Sequence, residues 1–295
     1  MRESISAVPD AIPRPPRTRL RFSLTKLLFA MLVVAFFFAC IGSYVKQALD
    51  RRNAVERLKT AGATITFSGI RSPWIDWLRP YAGDSFVTKA RVVSFKRHGA
   101  TPGPDAESMT RLMEHVSSLT ELEYLLLDGK EVTDSGVRYV SRLKRLKGLH
   151  LERTCISDDG LACLEDLPQL ESLRLDDTQV TDAGMGAVAR LSRLNNLSLK
   201  GTAVTDQGVK ALSGLTELQY LLLSDTQVSS AGLAHVSGLT QLELLDLENT
   251  QVTDDGLPHL RGIRSLSFLG LRGTRVSREK EQEMKEHWPR LLIVW

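Results

Sequence analysis

Leucines recur every 24 residues through the second half of this chain, and that spacing leaves few folds open. The first leucine of each block stands at Leu122, Leu146, Leu170, Leu194, Leu218, Leu242 and Leu266. A second follows three residues later, from Leu125 to Leu269, and a third two residues beyond that, from Leu127 to Leu271. Six blocks run without a gap from Leu122 to Ser265, and a degraded seventh follows. A fixed period of about 20 to 29 residues marks one supersecondary unit that cannot bury its apolar side alone and must stack on its neighbours.

Each register has a physical role. The segments around Leu125 and Leu127, and their successors, alternate inward leucine with outward residues, the period of a strand packed on one side, and predict a parallel sheet. Thr154, Thr178, Thr202, Thr226, Thr250 and Thr274 follow, where a hydroxyl can satisfy backbone groups as the chain leaves the sheet. A β-branched residue then returns to the core, from Val132 to Val276, followed by Ser or Thr in every block. Ser or Thr ahead of an apolar three-residue spacing such as Leu161, Leu164 and Leu167 reads as a helix N-cap. The glycines from Gly136 to Gly256 fall in the first helical turn, where a missing side chain lets adjacent coils approach. The Asp at Asp134, Asp158, Asp182, Asp206 and Asp254 repeats with the helix start, so it reads as a dipole and capping residue before a general base.

The block L-x-x-L-x-L-x-x-T-x-V-[TS]-D-x-G resembles the leucine-rich-repeat family, closest to its cysteine-containing subclass, with a shorter repeat and Thr in place of Cys. The resemblance covers about residues 90 to 295. It implies an α/β solenoid with a parallel concave sheet and short convex helices, and speaks to fold rather than activity.

An array exposes raw apolar ends unless atypical units close them. At the front, Val93 and Phe95 match strand positions, and Met113, Val116 and Leu119 match helix positions. The eight surplus residues from His98 to Asp105 predict a surface loop in a divergent capping repeat. At the back, Lys280 replaces the glycine and the largely charged run Glu279 to Glu286 makes a polar outer face. Leu291 to Trp295 reads as a last strand that seals the core with Trp295.

Leu27 to Val45 is nineteen residues without a charge, bounded by Lys26 and Lys46. At 1.5 Å per residue a helix of that length reaches about 28 Å, enough for a hydrocarbon core of about 30 Å. The run therefore predicts a single transmembrane helix, with a cleaved signal peptide as the rival reading. Arg14, Arg17, Arg19, Arg21 and Lys26 precede it, and Lys46, Arg51, Arg52, Arg57 and Lys59 follow, so the positive-inside comparison is a tie. A short basic tail and a large trailing domain favour the N-terminus in the cytoplasm and the repeats outside it. Residues 1–60 hold eleven Lys and Arg against four Asp and Glu, whereas the remainder holds 27 against 31. The basic surplus thus belongs to the membrane-flanking segment and suits anionic lipid, not nucleic acid.

The organisation expected is a disordered basic tail over 1–26, the span over 27–45, a juxtamembrane helix and N-terminal cap over 46–89, the repeats over 90–289, and a capping strand over 290–295. Within the cap, Gln47 to Ala61 reads as a short amphipathic helix ending at Gly62, and Ala63 to Phe67 as a strand. Trp74, Ile75, Trp77, Leu78 and Tyr81 read as packing of the cap. This juxtamembrane pattern is similar in outline to that of single-span bacterial leucine-rich-repeat proteins.

Catalytic patterns are missing. No nucleotide-binding glycine loop, His-x-x-x-His or Cys-x-x-Cys occurs, the six histidines are dispersed, and Cys155 and Cys163 are too few for a disulfide framework. No cofactor, metal or small-molecule substrate is expected, and the chain does not read as an enzyme.

Function then falls to the surface that the repeats leave free. Tyr220, Leu222, Leu244 and Phe268 take outward positions on adjacent strands about 4.8 Å apart, beside Asp246 and Glu248. Apolar groups rimmed by charge make up a protein-binding hot spot. The leading expectation is a non-enzymatic, membrane-tethered module that binds a protein or peptide on its concave sheet. The alternatives are a structural envelope scaffold, and the substrate-recognition arm of an F-box-type ubiquitin ligase, a role that similar repeats fill; no F-box-like module precedes this array.

Overall fold

The computed structural model describes residues 24–69, 88–95 and 104–295, apart from the side chains of 24–27, 30, 37, 40, 41, 44, 45, 68, 69, 88 and 89. The proline-rich tail, the aromatic cluster from Trp74 to Tyr81 and most of the surplus loop from His98 lie outside the described residues. The chain divides into two compact units, Met1–Gln47 and Ala48–Trp295.

The helix α1 is assigned from Leu24 to Thr60 and includes both the apolar run and the short amphipathic helix expected after it. In the first unit Leu28, Phe29, Met31, Leu32, Val33, Val34, Phe36 and Phe38 are exposed. Several residues of the run from Leu27 to Val45 lie outside the described side chains. Among the described residues no helix is long and apolar enough to cross a membrane. In the second unit Ala48, Ala54, Val55 and Leu58 form the buried face of α1, whereas Leu49 is half exposed. Gly62, at φ +86°, ends the helix, and the N–H of Ala63 closes back on the Leu58 carbonyl at 2.9 Å. That left-handed turn suits glycine, which has no Cβ to clash.

Among the described residues the second unit is built on one ten-stranded sheet in chain order. Its strands are β1 (Thr64–Gly69), β2 (Thr88–Phe95), β3 (Tyr124–Leu127), β4 (Gly148–His150), β5 (Ser172–Arg174), β6 (Asn196–Ser198), β7 (Tyr220–Leu222), β8 (Leu244–Asp246), β9 (Phe268–Gly270) and β10 (Leu292–Val294). From β2 onward every pairing is parallel, with equivalent positions of successive repeats in register: Leu125 opposite Leu149, Leu173 opposite Leu197, Leu245 opposite Leu269. The exception is β1, which pairs antiparallel with β2 and covers an edge that would otherwise present unpaired backbone groups. The pattern of Ala63 to Phe67 suggested a strand but not its direction.

Short helices cross between strands: α2 (Ala106–Val116), α3 (Asp134–Val137), α4 (Asp158–Ala162), α5 (Met185–Val188), α6 (Asp206–Ala211) and α7 (Ser230–Val236), with 3-10 turns such as Asp254–Gly262. Leu122, Leu125, Leu146, Leu149, Leu194, Leu197, Leu242 and Leu245 are fully buried between sheet and helices. Fully burying one leucine contributes about 1.5 to 3 kcal/mol, so the stacked leucine columns dominate the stability of the array. The repeated threonine behaves as its hydroxyl suggested: Thr178 Oγ1 donates to the Leu175 carbonyl at 2.6 Å and Thr202 Oγ1 to that of Leu199 at 2.6 Å. The residue before this position, which is Lys130 in the first repeat and threonine in the others, adopts positive φ throughout, as Gly129, Arg153, Asp177, Gly201, Asp225, Asn249 and Gly273.

The repeated aspartate, expected as a capping residue, turns its side chain to the next coil, and the Ser or Thr before it is the N-cap. Asp158 accepts the Thr181 N–H at 2.9 Å and hydroxyl at 2.6 Å, and Asp206 does the same for Ser229 at 2.7 and 2.6 Å. Thr181 Oγ1 in turn accepts the Ala183 N–H at 3.3 Å, the N-cap expected of it. A ladder of hydrogen bonds, charged at every rung but one, therefore ties these coils together.

At the C-terminal end the helix α8 (Lys280–His287) carries the polar outer face, with Lys280 and Glu283 paired at 2.7 Å. Trp295, expected to seal the core, is half-buried against it. Trp288 is the deeper plug, 5 % exposed, with Nε1 donating to the Ile263 carbonyl at 2.7 Å. An indole whose one polar atom has a partner can sit in an apolar end where a charged helix cannot.

Candidate functional site

Register places the outward residues of adjacent strands side by side. Tyr220 stands opposite Leu244, and Leu244 opposite Phe268; in the next column Leu222 stands opposite Asp246, and Asp246 opposite Gly270. The structure thus brings together the residues singled out at this end of the sheet. Tyr220, Leu222, Leu244 and Phe268 are half-buried rather than fully exposed, because side chains on strands this close cover one another. The Tyr220 hydroxyl reaches Glu243 Oε2 at 3.4 Å, which orients the ring.

The column continues one strand further than expected. Phe268 pairs with Leu292 of β10, whose side chain is 61 % exposed. Reading Leu291 to Trp295 only as a seal hid it, although Leu292 lies one 24-residue step beyond Phe268. Tyr220, Leu244, Phe268 and Leu292 therefore make one apolar strip across four strands. Beside it, Asp246 Oδ1 accepts the Glu248 N–H at 3.0 Å. Gly270 leaves the space that this carboxylate fills, since a Cβ there would stand 2.6 Å from Asp246 Oδ1. Neither Asp246 nor Glu248 has an ion-pair partner among the described residues.

The other half of the face is different in kind. Asp128 receives Arg153 at 3.0 Å and 2.5 Å, and Arg174 sits between Glu152 at 2.8 Å and Asp176 at 3.1 Å. These charges are spent on one another. Ser198, which strand alternation turns outward, is fully buried and donates to Asp176. Asp176 and Ser224 are buried as well, and the Tyr124 ring lies across Gly148, where a Cβ would come within 2.6 Å of it. Alternation along a strand sets which face a side chain takes, but a larger neighbour on the next strand decides whether water reaches it.

Among the described residues no group of three His, Cys, Asp or Glu side chains is placed to hold a metal ion, and Cys155 and Cys163 are free thiols. The parts of this face are those of a contact surface: an apolar strip, two carboxylates without cations, and a rigid backbone.

Comparison with known proteins agrees with the repeat. Residues 168–228 match the family model described as leucine rich repeat. No curated protein matches the chain by sequence. Among solved structures, an internalin from Listeria monocytogenes aligns at 17 % identity and a TM-score of 0.41, covering 66 % of this chain and 72 % of the other. The internalin C2 of the same organism aligns at 21 % and 0.42, covering 63 % and 84 %. A leucine-rich-repeat protein of Leptospira interrogans aligns at 17 % and 0.42, covering 64 % of this chain and 62 % of its own.

Proposed function

We propose that this leucine-rich-repeat chain is a non-enzymatic, membrane-tethered module that recognises a protein or peptide on the outward face of β7 to β10. One observation carries the reading: Tyr220, Leu244, Phe268 and Leu292 stand in register on four neighbouring strands, beside carboxylates that have no ion-pair partner among the described residues. A partner that lays apolar side chains on this strip and sets Lys or Arg against Asp246 and Glu248 would desolvate the strip and supply the missing counter-charges. Strand positions hold these groups more rigidly than loops would, so little ordering entropy is lost on binding.

The tether is the nineteen-residue uncharged run from Leu27 to Val45, supported by unbroken helix and exposed apolar side chains on its described part. A short basic tail ahead of the run and a large domain behind it favour the N-terminus in the cytoplasm and the array outside it. Carbonate extraction of membranes tests the tether, and protease protection in intact spheroplasts tests the side. The binding reading is tested by pull-down with the full chain against the Phe268→Ala chain. A partner retained by the first and lost by the second supports the site.

A further inference from the structure

A cleft of about 450 Å³ lies between the last turns of α1 and the helix α2, well away from the apolar strip. Among the described residues the ionisable side chains that line it are Arg57, Arg111 and His115, joined by Ser108 and Leu112. Arg111 is paired with Glu107 at 2.5 Å. Arg57 has no carboxylate partner among the described residues. Its Nη1 lies 2.8 Å from His115 Nε2. A guanidinium only donates, so the imidazole accepts at Nε2 and is neutral. Burial, followed by the charge of Arg57, holds His115 below the ordinary imidazole range. An arginine whose partner is a neutral imidazole remains a cation without a counter-charge, set in a concave site with a second arginine and a hydroxyl beside it.

We propose that this cleft binds a phosphate group, with Arg57 and Arg111 on its oxygens. A phosphate offers three or four oxygens and up to two negative charges to the two guanidiniums, against two oxygens and one charge on a carboxylate. The anion also separates the charge of Arg57 from His115, so the imidazole takes up a proton on binding and affinity rises as pH falls. The other charged groups around His115 are Asp50 of α1, Arg111 and Glu114 of α2, and Arg142. Glu114 favours the same protonation. The headgroup of an anionic phospholipid and a free phosphate compound share this chemistry.

The test uses the full chain in uncharged detergent. Calorimetric titration with inorganic phosphate is repeated with dihexanoyl-phosphatidylglycerol, and with dihexanoyl-phosphatidylcholine as reference. Phosphate is expected to bind more tightly at pH 6 than at pH 7.5, to weaken about tenfold in Arg57→Gln and in Arg111→Gln, and to hold within a few-fold in Arg57→Lys. Phosphatidylglycerol about tenfold tighter than phosphate would assign a lipid headgroup, and the reverse order a soluble compound. Arg111 is exposed, so Arg111→Gln reports on binding even if Arg57→Gln disturbs the fold. Binding of neither ligand up to about 10 mM, or an affinity indifferent to both glutamine variants, overturns the proposal.

Discussion

Asp182 holds Thr205 of the next coil by two hydrogen bonds, accepting its N–H at 2.8 Å and its hydroxyl at 2.6 Å. The same carboxylate accepts the Gly208 N–H at 2.9 Å, and a Cβ on that glycine would stand 2.5 Å from Asp182 Oδ1. The conserved-looking spacing of Asp, Thr and Gly along the chain is thus one contact repeated down the stack. Asp182→Ala is expected to cost about 2 to 3 kcal/mol in denaturant melts, since it strands three donors at the coil boundary. A loss within experimental error would show that the ladder contributes nothing.

One rung is different. Ser230 occupies the aspartate position and makes a weaker version of the contact, accepting the Thr253 N–H at 3.0 Å with its hydroxyl 2.9 Å from that of Thr253. Gly256 still leaves the space beside it. Ser230→Asp should therefore stabilise the array by about 1 kcal/mol, by a charged acceptor and a favourable charge at the start of α7. Thermal melts of the two chains decide the sign.

Packing and polar contacts predict different effects for neighbouring residues of β6. Leu197→Ala should cost about 2 to 5 kcal/mol by leaving a cavity under the sheet. Ser198→Ala, on the opposite face, should cost about 1 to 3 kcal/mol, because it deprives the buried Asp176 carboxylate of a donor. A neutral Ser198→Ala would restore the sequence-based view of that side chain as idle surface.

Much of the fold could be read from the leucines, because a period-two strand and a fixed 24-residue step leave one way to stack them. The contacts between coils could not. Asp182 and Thr205 each fit a local role at a helix start, and only the stacking shows that one serves the other. The left-handed position was visible as Gly, Asp or Asn in most repeats, but Arg153 breaks that pattern. Of the candidate face, Tyr220, Leu244 and Phe268 were legible from alternation. Leu292 was obscured by its place in a terminal strand, and the burial of Ser198 by a carboxylate on the strand before it.

His115 gives the array a pH dependence. Its pKa lies below that of a free imidazole, so the unfolded chain takes up a proton at higher pH than the folded one. Its contribution is fully present above the unfolded value of about 6.5 and is lost as pH falls below it. The melting temperature should drop between pH 7.5 and 5.5, and His115→Gln should show a smaller drop over the same interval. Identical profiles would contradict the Arg57 contact.

The binding strip is tested most directly by the affinity of a captured partner for four chains: the parent, Phe268→Ala, Leu292→Ala and Lys210→Ala. Phe268 and Leu292 lie on the strip, whereas Lys210 is exposed on α6. The account predicts a loss of about 2 kcal/mol or more for Phe268→Ala, a smaller loss for Leu292→Ala, no change for Lys210→Ala, and nearly equal melting temperatures throughout. Affinity that is indifferent to both strip variants and falls with Lys210→Ala would put the site on the helices and contradict it.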